Sequence, residues 1–163
     1  MSKKPNWMLH LSLASVILWI GIHAFEKYTF SEEQFLVLHQ ATGSAVSLSN
    51  KDQALLLTDL HVMDTTRAVI SLERLKNIEN HRGKKLSIAD LQSMVHYKDA
   101  QLVVISENGV YDTSIKNANV LLSHSPKINM ERLILDTQPK MIIADGSNYR
   151  HLIETWKATC DQM

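Results

Sequence analysis

The sequence predicts an α/β protein: one N-terminal transmembrane helix followed by a layered domain, with an antiparallel meander first and a parallel βαβα unit last. Three observations carry this. Trp7 to Phe25, WMLHLSLASVILWIGIHAF, holds no formal charge. Short apolar runs separated by Gly, Ser, Asn and Asp crowd residues 34–58, as closely connected strands do. Residues 119–160 read strand, helix, strand, tight turn, helix.

At 1.5 Å per residue, Trp7–Phe25 reaches roughly 28 Å, close to the hydrocarbon thickness of a bilayer. The expected organisation is a tail over 1–6, a membrane span over 7–25 and a domain over 26–163. Lys3 and Lys4 precede the span while Glu26 and Lys27 follow it, so charge bias puts the tail in the cytoplasm and the domain outside. His10, Ser12, Ser15, Gly21 and His23 weaken its hydropathy. A cleaved signal peptide and a buried soluble helix are the rival readings, although Gly21 and Ala24 do not form a small-x-small cleavage site.

Gln34–His39 and Ala45–Leu48 read as strands around Thr42-Gly43-Ser44, and Gln53–Thr58 as a third. Asp64-Thr65-Thr66 offers a helix cap, and Ala68, Leu72, Leu75 and Ile78 share one helical face that ends near Gly83. Ser87 to Gln92 reads as a loop entering a strand at Met94, in preference to a helix capped by Ser87. Met94–Tyr97 and Gln101–Ile105 then form a hairpin about Lys98-Asp99, with Val110-Tyr111 as a short return after Glu107-Asn108-Gly109. Asn119–Ser123 is a buried strand. Asn129 caps a helix in which Ile128 can pack on Leu133, and Pro139 closes it. Met141–Ala144 has the continuous apolar character of a central parallel strand. Tyr149 opens the last helix, whose inner face is Leu152, Ile153, Trp156 and Cys160.

With 17 basic and 17 acidic side chains, removal of Lys3 and Lys4 leaves fifteen basic against seventeen acidic in the rest of the chain. That balance argues against a strong sequence-independent phosphate-binding surface. The single cysteine, Cys160, excludes an internal disulfide and a cysteine-based zinc site. The 8 histidines contain no pair at helical i, i+4 spacing and no His-x-His-x-Asp-His run, so no metal ligand is assigned.

The sites that remain are loops. Asp145-Gly146-Ser147-Asn148 lies where open α/β sheets put ligands, between a strand end and a helix start, although Gly for the turn and Ser147 or Asn148 for the helix cap explain it equally. His124-Ser125-Pro126-Lys127 shares that ambiguity at the preceding strand end, and His124 and His151 flank the two strand ends. The candidate ligand-facing turn is therefore His124, Ser125, Lys127, Asp145, Gly146, Ser147 and Asn148. Arg82, Lys84 and Lys85 are candidate phosphate contacts in a solvated loop. Ser147 lies outside any G-x-S-x-G elbow, and no catalytic residue is assigned.

The segments FLVLH, LVVISENGVYD, VLLSHSPKINMERLI and PKMIIADGSNYRHLIETWKATC together resemble the C-terminal end of ComEC-type competence proteins. These are polytopic inner-membrane channels through which transforming DNA passes as a single strand. The resemblance implies an inner-membrane location, an extracytoplasmic domain and no cofactor. It implies as partners the membrane, single-stranded DNA, and the remaining channel helices of a larger ComEC-type protein or separate competence proteins. In many members the C-terminal domain is a metallo-β-lactamase-type hydrolase, proposed to degrade the strand that is not transported. The metal-binding run is absent here, so the implied fold is a degenerate metallo-β-lactamase-like scaffold without catalysis. Family domains also continue into a further strand, so the sheet is expected to be incomplete at Met163. The alternatives are a metal-dependent phosphodiesterase or nuclease with a remodelled site, and a stand-alone membrane-anchored domain unrelated to DNA.

Overall fold

Among the described residues, eight strands in two four-stranded sheets build the domain over residues 34–163. The structure is a computed structural model that describes residues 7–29, 33–41, 43–50, 52–60, 66–81 and 84–163. Residues 1–33 form a separate unit whose described part is the helix α1, Trp7–Thr29.

The first sheet has the order β1-β2-β3-β4, with β1 Gln34–Leu38, β2 Ala45–Ser49, β3 Gln53–Thr58 and β4 Lys85–Asp90. The first three strands are the expected antiparallel meander. Asn50 closes the β2–β3 turn, its Oδ1 accepting from the N–H groups of Asp52 and Gln53. Helix α2, Thr66–His81, then crosses to β4, which pairs parallel to β3 from Gln53↔Lys85 to Thr58↔Asp90. This corrects the loop reading for residues 87–90, while 91 and 92 lie outside the strands. The alternation of Leu86 and Ile88 with Ser87 and Ala89 is too short to mark a strand by itself, and pairing along all of β3 supplies what local pattern does not. The first half therefore holds a parallel crossover as well as a meander.

The second sheet has the order β5-β6-β7-β8, with β5 Met94–Tyr97, β6 Ala100–Ile105, β7 Asn119–Leu122 and β8 Met141–Ala144. β5 and β6 form the expected hairpin, while β6, β7 and β8 run parallel. Two expectations are corrected. Among the described residues β8 is an edge strand, not a central one. Val110-Tyr111 forms no strand; Tyr111 instead packs against the core and its hydroxyl donates to Asp136 of the following helix at 3.4 Å.

Alternation of side chains sorts the core into layers. Val46, Leu48 and Leu57 of the first sheet meet Val95, Leu102 and Leu121 of the second. On the outer face of the first sheet, Ala45 and Leu56 pack with Leu72 of α2. On the outer face of the second, Ile105, Val120 and Leu122 pack with Leu133 of α3, Met130–Thr137, and Trp156 of α4, Arg150–Cys160. The order is helix, sheet, sheet, helix. Asn129 caps α3 as expected, its Oδ1 accepting from the Arg132 N–H at 2.9 Å.

The membrane span is also corrected. No helix among the described residues is long and apolar enough to cross a membrane. α1 has 23 residues, but His10, Ser12, Ser15, Gly21 and His23 dilute its apolar side chains. The Ser15 hydroxyl turns back to the Ser12 carbonyl, as hydroxyls within helices do.

Candidate functional site

Several strands end at one corner of the sandwich, and each leaves a polar residue there. β3 ends in Thr58-Asp59, β7 runs into Ser123-His124, and β8 runs into Asp145. Because β2 runs antiparallel to β3, its entry residues Gly43 and Ser44 arrive at the same corner. Gly43, at φ +76°, has no room for a side chain: a Cβ there would stand 2.5 Å from Asp59 Oδ1.

Asp59 and His124 join the two sheets. His124 Nε2 lies 2.6 Å from Asp59 Oδ2, and the Ser44 N–H donates to Asp59 Oδ1 at 2.7 Å. The hydrogen bond to Asp59 raises the His124 pKa above the ordinary histidine value against the opposing effect of burial, and the negative charges of Asp59, Asp145 and Glu107 add to the rise.

Asp145 is the buried anchor, at 2% exposure. It accepts from the hydroxyls of Ser44 and Ser147, from the Ser147 N–H at 3.0 Å and from Asn148 Nδ2 at 3.1 Å. Ser44 Oγ also lies 2.5 Å from Ser123 Oγ. A buried carboxylate answered by this many donors is satisfied without a ligand.

The same residues fix the loop after β7. His124 and Ser125 both adopt left-handed backbone, at φ 57° and 56°, which costs L-residues of this kind on the order of 1–2 kcal/mol each. The loop is held by cross-links. The His124 N–H donates to Ser147 Oγ at 2.9 Å, the Ser125 N–H to Asn148 Oδ1 at 2.8 Å, and the Tyr149 N–H to Ser125 Oγ at 2.8 Å. Tyr149 is the N-cap residue of α4 and makes no side-chain cap bond. Ser147 and Asn148 thus serve the neighbouring loop. Gly146 lets the chain after β1 lie against this turn, since a Cβ there would stand 2.7 Å from the Gln40 carbonyl oxygen and from the His39 ring.

Of the sequence-predicted residues, His124, Ser125, Asp145, Gly146, Ser147 and Asn148 come together at this corner. Lys127 lies beyond it, lining with Ser125, Tyr149 and Trp156 an adjoining surface cavity of about 450 Å³. His151 stacks on Tyr149, with ring centroids 5.8 Å apart, while His124 takes Asp59 as its partner. Arg82 lies outside the described residues, as do the cap residues Asp64 and Thr65. Lys84 and Lys85 precede and open β4, so they lie at the opposite end of the strands from His124. Asp59, Ser44, Ser123 and His39 were not predicted. The available signal was a titratable or hydroxyl residue directly after a buried strand, which Asp59 shares with His124 and Asp145.

A carboxylate orienting an imidazole is the positioning half of an acid–base site. Here the hydroxyls beside it, Ser44 and Ser123, are buried and committed to one another. Among the described residues no three His, Cys, Asp or Glu side chains converge as a metal centre requires.

Residues 35–163 match the family model of the ComEC C-terminal domain. Comparison with curated proteins and with solved structures returns no match.

Proposed function

The chain belongs to the ComEC C-terminal domain family, which sets it among competence DNA-uptake proteins, and from that premise we propose that it is a non-catalytic, extracytoplasmic domain of the uptake channel built on a degenerate metallo-β-lactamase-like scaffold. It works beside the conducting helices and contacts single-stranded DNA weakly. The helix–sheet–sheet–helix layering supports the scaffold reading.

The observation that carries the non-catalytic reading is the closure of the strand-end corner. Ser44, Ser123, Asp145, Ser147 and Asn148 bind one another, and Asp59 binds His124. A hydrolase corner presents ligands or a nucleophile to its substrate, whereas this one spends its polar groups on joining β3, β7 and β8. The balance of 17 basic against 17 acidic side chains, with no basic excess, supports DNA contact that is weak and salt-sensitive.

The test combines metal analysis with cleavage assays on single- and double-stranded DNA in zinc and in manganese. Substoichiometric metal is expected, with no cleavage above background and no change in His124→Ala or Asp145→Asn. Stoichiometric metal together with cleavage lost in both variants would establish the remodelled phosphodiesterase instead.

A further inference from the structure

Beside the strand-end corner, the groove of about 450 Å³ follows the start of α4. One wall is the helix face that carries Tyr149, Leu152 and Trp156, at spacings of three and four residues. The other is the segment from Ser125 to Ile128 that leads into α3. That segment is held in place. Pro126 is fully buried, and its carbonyl accepts from the Ile128 N–H at 3.1 Å. The Tyr149 ring is also set in advance, stacked on His151 with planes 17° apart, while 67% of the residue stays exposed.

The polar groups here are donors that lack acceptors. Trp156 is only 6% exposed, yet its indole N–H meets no acceptor among the described residues. Buried donors are paired in the great majority of proteins, so this one is open to an acceptor from outside. The Ser125 hydroxyl accepts from the Tyr149 N–H at 2.8 Å, and its own hydrogen has no acceptor among the described residues. The Lys127 ammonium lines the same groove, and among the described residues no carboxylate does. A ligand that suits these walls brings acceptors, and it brings no unpaired donors to the apolar floor.

A proline-rich chain in the polyproline II conformation has these properties. Proline has no N–H, so its peptide units present carbonyls alone. The conformation makes no internal hydrogen bonds, which leaves those carbonyls free, and it docks in aromatic-lined grooves. Its repeat also fits. One turn of three residues advances about 9.3 Å, and the seven residues from Tyr149 to Trp156 span roughly 10.5 Å along α4. Prolines one turn apart therefore meet the two aromatic rings, with Leu152 beneath the residues between them. This chain's own 3 prolines, Pro5, Pro126 and Pro139, are widely separated, so a second copy does not supply the segment.

We propose that this groove docks a proline-rich, extended segment of another protein, with an acidic residue beside the prolines for Lys127. This partner goes beyond the DNA-uptake reading and does not require it.

The experiment measures fluorescence anisotropy of a labelled peptide of about ten residues, proline throughout after one aspartate, against the full chain. A peptide of equal length and charge with alanine in place of every proline is the comparison. The proline peptide should bind about tenfold more tightly, since its bound conformation is already formed. Tyr149→Ala should weaken that binding about tenfold, and Tyr149→Phe should preserve it. Trp156→Phe keeps an aromatic ring in the core and removes the donor, so it should weaken binding about three- to tenfold. Lys127→Gln should weaken the aspartate peptide about twofold and leave a neutral proline peptide unchanged. Circular dichroism establishes that each variant is folded.

Absence of binding, equal binding of the two peptides, or wild-type affinity in folded Tyr149→Ala would each overturn the assignment. So would a dimer, seen by sedimentation, that Tyr149→Ala dissociates, because the groove would then belong to a second copy. Each of these results leaves the DNA-uptake reading as it stands.

Discussion

Asp145 and His124 take opposite routes to accommodating a titratable group at a strand end. Asp145 is buried and satisfied by neighbouring hydroxyl, amide and backbone donors. His124 stays partly open and is held by Asp59 from the other sheet. That hydrogen bond raises the His124 pKa above the ordinary value of about 6.5. The fold therefore favours the charged imidazole. The stability it adds is complete below the unfolded pKa and is lost as pH rises through the elevated folded one. Urea midpoints measured from about pH 6 to pH 9 should decline across that window, and His124→Gln should flatten the decline. A variant profile that keeps the same slope would assign the titration to another group. The pair was only half legible in the sequence. His124 stood out beside a proline and a strand end, but Asp59 follows QALLLT like any solvated loop residue. Only the packing of one sheet on the other brings His124 to it.

Among the elements, α3 shows most directly what sequence can and cannot specify. Its start was legible because an Asn side chain three residues before a free N–H is a local device. Its end is less regular. Gln138 is the C-cap in left-handed conformation, φ 46° and ψ 57°, with its N–H donating to the Ile134 carbonyl at 2.9 Å, and Pro139 then prevents continuation. Glycine is the usual residue for that conformation, so Gln138→Gly should raise stability by about 1 kcal/mol, read as a higher urea midpoint at unchanged m. A lower midpoint would mean that the Gln138 side chain does more than tolerate its backbone. Strand β4 was illegible for the opposite reason: its identity comes from β3, through pairing across the length of α2. β8 misled because a run of four apolar residues, MIIA, reads alike whether a strand is flanked on both sides or on one.

At the scale of the whole domain, two sheets share one interior and each turns its other face to helices. Leu121 is fully buried at the centre of that interior, packed with residues of both sheets. Leu121→Ala should therefore cost about 2–5 kcal/mol, measured by urea unfolding, because the loss is felt on both sides of the cavity it leaves. A cost under about 1 kcal/mol would show that the sheets close over the gap. The layer order was within reach of sequence reasoning, since period-two alternation sorts Val46 and Leu57 from Ala45 and Leu56. The half of the corner that the first sheet supplies, Ser44 and Asp59, was not, because hydrogen bonds between residues some 65 or 101 positions apart leave no local pattern. The open side of β8 has a last consequence, for how the protein behaves at high concentration. An unpaired strand edge is a template for a second chain, and Met141 and Leu135 are exposed beside it. Only four residues long and entered through Pro139 and Lys140, β8 offers that template little length, no donor at the proline and a charge at its threshold. Lys140 holds the position of a gatekeeper, and Lys140→Gln should lower the concentration at which light scattering detects aggregates.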